Sequence, residues 1–275
     1  MDLPTPIVSP AWVLGHMLDP GVVVCDCRFT LGQPEAGRER YAAGHIPGAV
    51  YFDLERDLSG PEQAHGGRHP LPDLKTFAAK LGAAGIGDDV AVVCYDDTGE
   101  FAARLWWMLR YLGHPAVAIL DFGFPAWQGA RLPLTTAPPQ PTARDFTPRP
   151  QPQLVATMAE VRDRAPGVVV VDARAPERYA GQPHPLDAKA GHVPGAINRF
   201  WKESLRPDGT WKTPAEQAER LADLKAAPAV IVHCGSGVTA CPNLVALEQA
   251  GIPGARLYVG SWSDWCSYEE NPVER

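Results

Sequence analysis

The sequence predicts an α/β protein of two tandem domains built on one plan, each a mostly parallel β-sheet flanked by helices. Three observations carry that prediction. The chain repeats itself once, short apolar runs alternate with helical patterns inside each copy, and a proline-rich stretch separates the copies. A length of 275 residues suffices for two domains that each bury a core, and 45% hydrophobic with 21% charged residues is an ordinary globular composition.

The repeat is visible in two places. Asp26 and Arg28, which follow Val22-Val23-Val24, recur 146 positions on as Asp172 and Arg174 after Val169-Val170-Val171. Gly44-His45-Ile46-Pro47-Gly48-Ala49 recurs 147 positions on as Gly191-His192-Val193-Pro194-Gly195-Ala196. Further along, Gly113 and Trp127 match Gly251 and Trp265 at a spacing of 138. A period this long marks whole domains rather than a solenoid. Between the copies, residues 132–152 are rich in Pro, Thr and Gln and should run extended over the surface. The expected organisation is a first domain over 1–135, a linker over 136–151 and a second domain over 152–275.

Within each copy the elements follow from their apolar spacing. Residues 21–24, 90–94, 168–171 and 229–233 are near-continuous apolar runs, the pattern of strands buried on both faces. Residues 101–112 and 239–250 show the three-to-four-residue spacing of helices, each stopping at a glycine, Gly113 or Gly251, in C-cap position. Strand–helix alternation gives a parallel sheet covered on both faces, whose sites lie beyond the carboxyl ends of the strands.

Composition excludes several classes. A net charge of −7 with no basic run argues against a nucleic-acid partner. No apolar stretch approaches the roughly 20 residues that cross a bilayer, and the opening residues lack a signal peptide's basic and apolar regions. Six cysteines without framework spacing read as free thiols of a reducing compartment, so a cytoplasmic location is expected. Cys25 and Cys27 have no second Cys/His pair at zinc spacing, so no metal is expected, and no organic cofactor either.

The chemistry is expected after the strand at 229–233. That strand runs straight into Cys234-Gly235-Ser236-Gly237-Val238-Thr239, ahead of a helix. Gly235 and Gly237 let the backbone curl with φ > 0, so that successive N–H groups form a nest at the helix N-terminus. A cysteine held there has its thiolate stabilised. Thr239 is placed to cap the helix or to donate its hydroxyl to the sulfur. In the first copy the spacing of 138 puts Asp96 opposite Cys234, and a carboxylate cannot carry sulfur. One copy is armed and the other is scaffold.

End to end, the chain resembles the tandem-domain rhodanese family of sulfurtransferases. The resemblance rests on the paired Gly-His-[Ile/Val]-Pro-Gly-Ala motifs, the Asp-x-Arg after the strand, residues 106–114, and Gly260-Ser261-Trp262-Ser263-Asp264-Trp265. It implies a catalytic second domain and an inactive first one. It also implies a persulfide on Cys234, loaded by a small-molecule sulfur donor and unloaded by a small thiol, a thioredoxin-like protein or cyanide. Thiosulfate-type members usually carry two basic residues after the cysteine. The neutral Gly235–Thr239 run is similar to 3-mercaptopyruvate-type members. Loss of two cations weakens a dianion more than a monoanion. In this setting Ser236 can hydrogen-bond a thiol or carbonyl, and Gly235, Gly237 and Val238 frame the donor.

Arg178 matches the family's anion-binding arginine, whose fork holds an acid group bidentately. A second arginine usual in animal mercaptopyruvate enzymes is replaced here by Leu186, with His184 and Lys189 as the nearest substitutes. His69, in Gly67-Arg68-His69-Pro70, matches a first-domain histidine that reaches the cleft in mercaptopyruvate enzymes; there it could relay a proton to Ser236 or the substrate, with Glu55 to orient it, and it reads equally as a turn histidine. Arg68 would add positive potential. The duplicated His45, His192, Asp26/Arg28 and Asp172/Arg174 are assigned to structure, as are the tryptophans and Cys241. Two other readings stand beside a mercaptopyruvate donor: a thiosulfate-preferring rhodanese, and a non-catalytic sulfur-relay or binding module. A Cys-dependent phosphatase is excluded because its phosphate-binding arginine, six positions after the cysteine, is Ala240 here.

Overall fold

The computed structural model describes Leu3 and residues 5–275. The chain divides into two compact units, one of residues 1–60 with 71–151, the other of residues 61–70 with 152–275. The short segment 61–70 lies early in the sequence, yet it packs with the second unit.

Each unit holds a five-stranded sheet in which every pairing is parallel. In the first unit the strands are β1 (Ile7–Val8), β2 (Val22–Asp26), β3 (Val50–Tyr51), β4 (Ala91–Tyr95) and β5 (Val117–Leu120), in the order β1-β5-β4-β2-β3. In the second they are β6 (Val155–Ala156), β7 (Val169–Asp172), β8 (Ile197–Asn198), β9 (Val230–His233) and β10 (Arg256–Tyr258), ordered β6-β10-β9-β7-β8. The four apolar runs of the sequence are two of the three interior strands of each sheet, β2 and β4 and their counterparts β7 and β9; the third, β5 or β10, is not among them. They read clearly because helices cover both faces, so nearly every residue is buried. The edge strands are two residues long and have no such signature.

Gly113 and Gly251, with φ of +81° and +73°, lie just past the helices Glu100–Tyr111 and Cys241–Gln249. The second of these helices starts later than its spacing predicts. Its N-cap is Ala240, with no side-chain cap, so Thr239 does not cap it. Gly237 has a left-handed φ, residues 238–241 make a tight turn closed by Cys241 N–H to Val238 O (3.0 Å), and the helix begins at Cys241 with Pro242 in its first turn.

The repeated motifs fasten matching corners. Arg28 grips Asp26 with its guanidinium and reaches the Gly44 carbonyl at 2.7 Å; Arg174 grips Asp172 and reaches the Gly191 carbonyl at 2.8 Å. All four side chains are buried, so each charge is held by a partner rather than by water. His45 and His192 each bond through Nδ1 to a tyrosine residue's carbonyl and stack on that tyrosine's ring, Tyr41 or Tyr179. Trp127 and Trp265 send their indole N–H to the carbonyls of Pro133 and Pro272. Trp106, Trp107, Trp127, Trp262 and Trp265 are all buried. Residues 136–151 have no helix or strand but are not a loose tether. Arg144 N–H bonds to Gly82 O, Arg149 N–H to Leu112 O, and Gln151 N–H to Tyr111 O.

Candidate active site

β9 delivers Cys234 to the carboxyl end of the second sheet, where it is 1% exposed. Its backbone is clamped to the turn at 261–263. Cys234 donates its N–H to Ser261 Oγ at 3.1 Å, Trp262 donates to Cys234 O, and Ser263 donates to Gly235 O. Gly237 donates its N–H to Cys234 Sγ at 3.2 Å. Of the two loop glycines only Gly237 has positive φ, at +78°. Gly235 does not need the left-handed region; it is required for space. A Cβ there would lie 3.2 Å from Arg178 Nη2 and 3.3 Å from Arg68 Nη2.

The first unit contains the same frame with a different occupant. Gly99, at φ +98°, stands where the second unit has Gly237, and Gly123 (φ +56°) stands where it has Ser261 (φ +55°). Phe124 N–H bonds to Asp96 O as Trp262 N–H bonds to Cys234 O. In this frame the Asp96 carboxylate takes four backbone N–H groups, from Thr98, Gly99, Phe101 and Ala102. Burial pushes its carboxyl up to about 6 against the pull of those donors. Asp96→Asn turns one acceptor into a donor facing N–H groups. The variant should lower the chemical-denaturation midpoint of the first unit, a loss of roughly 2–3 kcal/mol, while sulfur loading of the folded protein persists.

Around Cys234 the structure gathers most of the residues that the sequence singles out. Ser236 and His69 are both buried, with His69 Nδ1 2.8 Å from Ser236 Oγ. Segment 61–70 brings His69 there and is held by several contacts. His65 Nδ1 meets Ser267 Oγ and its ring stacks on Tyr268; Gly66 N–H bonds to Asp264 Oδ1 at 2.7 Å; Arg68 N–H bonds to Ser263 Oγ at 3.2 Å. Gly67, at φ +79°, passes so close to the Gly260 carbonyl that a Cβ would come within 2.3 Å. Glu55 is an exposed residue of the first unit. Val238 is buried in the loop.

Arg178 is anchored by a residue the sequence reading missed. Its Nε and Nη2 bond to the two carboxylate oxygens of Asp187 at 2.8 and 2.6 Å, and Asp187 is 3% exposed. The short Asp187–Arg178 separation after a Pro-rich turn is no recognisable motif, so only packing exposes the pair. Leu186 offers its carbonyl to Arg68 Nη1 at 2.8 Å. Lys189 turns away to the Tyr268 carbonyl, and His184 Nδ1 accepts from Leu186 N–H. Thr239 Oγ1 makes no hydrogen bond to the Cys234 sulfur, which instead accepts the Gly237 N–H. Ser261 was also missed as a partner of Cys234, although its motif was legible.

Three of the other cysteines are held as thiols by their surroundings. All six are free and buried. Burial pushes the thiols of Cys27 and Cys266 up to about 11 and raises Cys94 as well. Cys241 donates to the Gly237 carbonyl at 3.4 Å. His233, packed beside Asp172, is held below the ordinary histidine range by burial, against the pull of that carboxylate. Among the described residues no cluster of His, Cys, Asp and Glu could hold a metal, and no helix is long and apolar enough to cross a membrane.

Comparison with known proteins identifies the family. Residues 9–130 and 156–268 each match the Rhodanese-like domain. A Pseudomonas aeruginosa protein named "Probable 3-mercaptopyruvate sulfurtransferase" is 43% identical, over 97% of this chain and 97% of its own. A Mycobacterium tuberculosis protein named "Putative thiosulfate sulfurtransferase SseB" is 40% identical, over 98% and 97%. The crystal structure of SseA from Escherichia coli, titled as a 3-mercaptopyruvate sulfotransferase, superposes with a TM-score of 0.82 at 33% identity. It covers 94% of this chain and 99% of that one. The chain belongs to the rhodanese family, in its tandem two-domain form. Within that family it is a sulfurtransferase, an enzyme that takes sulfur from a donor and passes it to an acceptor.

Proposed function

We propose that the enzyme moves a sulfane sulfur from 3-mercaptopyruvate to a thiol, through a persulfide on Cys234. The Cys234 thiolate attacks the donor sulfur, an S–S bond forms, and the C–S bond breaks with its electron pair on carbon. That carbon becomes pyruvate only when it gains a proton. The observation that carries the donor choice is the 2.8 Å contact between His69 Nδ1 and Ser236 Oγ beside the nucleophile. A relay of this kind can supply that proton. Sulfite, the leaving group from thiosulfate, departs as a stable anion and needs none.

The Asp96 frame supports the second half of the cycle. A carboxylate oxygen and the outer sulfur of a persulfide both stand two bonds from Cβ. The four N–H groups around Asp96 correspond, at the spacing of 138, to those of Ser236, Gly237, Thr239 and Ala240. In this reading Thr239 contributes its backbone N–H rather than its hydroxyl, and the nest holds the persulfide anion. An acceptor thiolate, of a small thiol or a thioredoxin-like protein, or cyanide, then attacks the outer sulfur and releases Cys234 thiolate. Six free cysteines suit a reducing cytoplasm.

Thiosulfate is the second reading, favoured by the two guanidinium groups over Gly235. Steady-state kinetics separate the two. We expect kcat/KM for mercaptopyruvate to exceed that for thiosulfate. Ser236→Ala and His69→Gln should cut mercaptopyruvate turnover by about 10²-fold or more and thiosulfate turnover far less. Equal losses for both donors, or a preference for thiosulfate, overturn the reading.

A further inference from the structure

We propose that Arg68 is the specificity-determining cation of this site, the group whose uncompensated charge draws anionic donors to Cys234. The sequence points to Arg178 for that task. The structure, however, pairs Arg178 bidentately with the buried Asp187. Arg174 is likewise paired, with Asp172, and also touches Asp187 at 3.4 Å. A fixed ion pair presents a dipole, whose field fades with distance faster than that of a single charge. Arg178 therefore offers hydrogen-bond donors with little net charge.

Arg68 is different. Among the described residues no carboxylate forms an ion pair with it; its Nη1 donates to a neutral carbonyl, that of Leu186. Its Nη2 and that of Arg178 both come within 3.3 Å of the point where a side chain on Gly235 would begin. The two guanidinium groups thus converge on one hollow, next to the nucleophile, that glycine keeps open. Arg68 is held there by contacts of its own backbone and of the two residues before it. Gly66 N–H is bonded to Asp264, Arg68 N–H to Ser263, and Gly67 has room for no side chain against Gly260. The cation that the resemblance places at position 186 is therefore supplied from 118 residues upstream, beside the very residue that lacks it. An acid group in the hollow takes hydrogen bonds from both arginines and its charge balance from Arg68.

This inference rests on Cys234 as the nucleophile, and it holds for either donor because both are anions. The test uses two alkylating reagents of similar size, iodoacetate (an anion) and iodoacetamide (neutral), and follows modification of Cys234 by intact mass and peptide mapping. Arg68→Gln should slow iodoacetate about tenfold, equivalent to about 1.4 kcal/mol, and leave iodoacetamide nearly unchanged. Arg68→Lys should keep most of the wild-type preference. KM for mercaptopyruvate should rise by a similar factor in Arg68→Gln with little change in kcat. An unchanged ratio of the two reagents in Arg68→Gln overturns the proposal. So does an equal fall in both rates, the result expected if Arg68 only braces the Leu186 loop. If neither reagent marks Cys234 in the wild type, the nucleophile assignment fails and this proposal fails with it.

Discussion

Cys234→Ser should abolish sulfur transfer, with a fall on the order of 10⁴-fold or more in turnover. The physical reason is the intermediate. A serine oxygen cannot form the S–S bond that stores the transferred atom, and its hydroxyl is far less ionised than a thiol. The substitution is nearly isosteric and the site is closed, with Cys234 1% exposed and clamped through Ser261 and Trp262, so the fold should survive. Incubation with donor followed by intact-mass measurement is the direct readout. Wild type should gain one sulfur atom and Cys234→Ser none. The burial that holds Cys27, Cys94 and Cys266 as thiols disfavours sulfur loading on those three. An equal adduct on the variant would move the sulfur to another cysteine and refute the proposed site.

The second large effect is expected at Gly237. At φ +78° a residue with a Cβ carries strain of about 1–3 kcal/mol, and here the added atom would also sit 2.2 Å from the Val259 carbonyl oxygen. The obstacle is backbone, which cannot swing aside. Gly237→Ala should therefore displace the loop and pull the Gly237 N–H away from Cys234 Sγ. We expect thermal stability of the second unit to fall and sulfur loading to drop at least about 100-fold, the scale of losing one preorganised donor. Gly235→Ala is the informative contrast. Its new Cβ meets only the tips of two arginine side chains, at 3.2 and 3.3 Å, and these can move. Stability should hardly change, whereas donor KM should rise as the guanidinium pair is pushed out of place. Similar losses of stability in the two variants would mean that loop curvature, and not the hollow above it, sets the requirement at both positions.

The two glycines also show how far local sequence reaches. Read in isolation, both suggest left-handed backbone; the tertiary structure assigns one to curvature and the other to clearance. Thr239 is a similar case. Its position before an apolar helical pattern suggests a cap, but the turn that Gly237 imposes delays the helix to Cys241. Arg178 is legible as a candidate anion binder because its neighbours form a recognisable motif. Its neutralisation by Asp187 is not, since nothing in the spacing says that those two side chains meet.

By itself the sequence determined the duplication, two of the three interior strands of each sheet, and which copy bears the proposed nucleophile. Those features are local: a strand buried on both faces must be apolar almost throughout, and Asp96 or Cys234 is simply the residue that follows it. Only the tertiary structure decided what surrounds Cys234. His69 reaches Ser236 across 167 positions and Arg68 reaches Ser263 across 195, because segment 61–70 packs with the second unit. Such meetings depend on backbone contacts at Gly66, Gly67 and Ser263. Those contacts have no periodicity to read, so the charge and proton chemistry of the site came from packing.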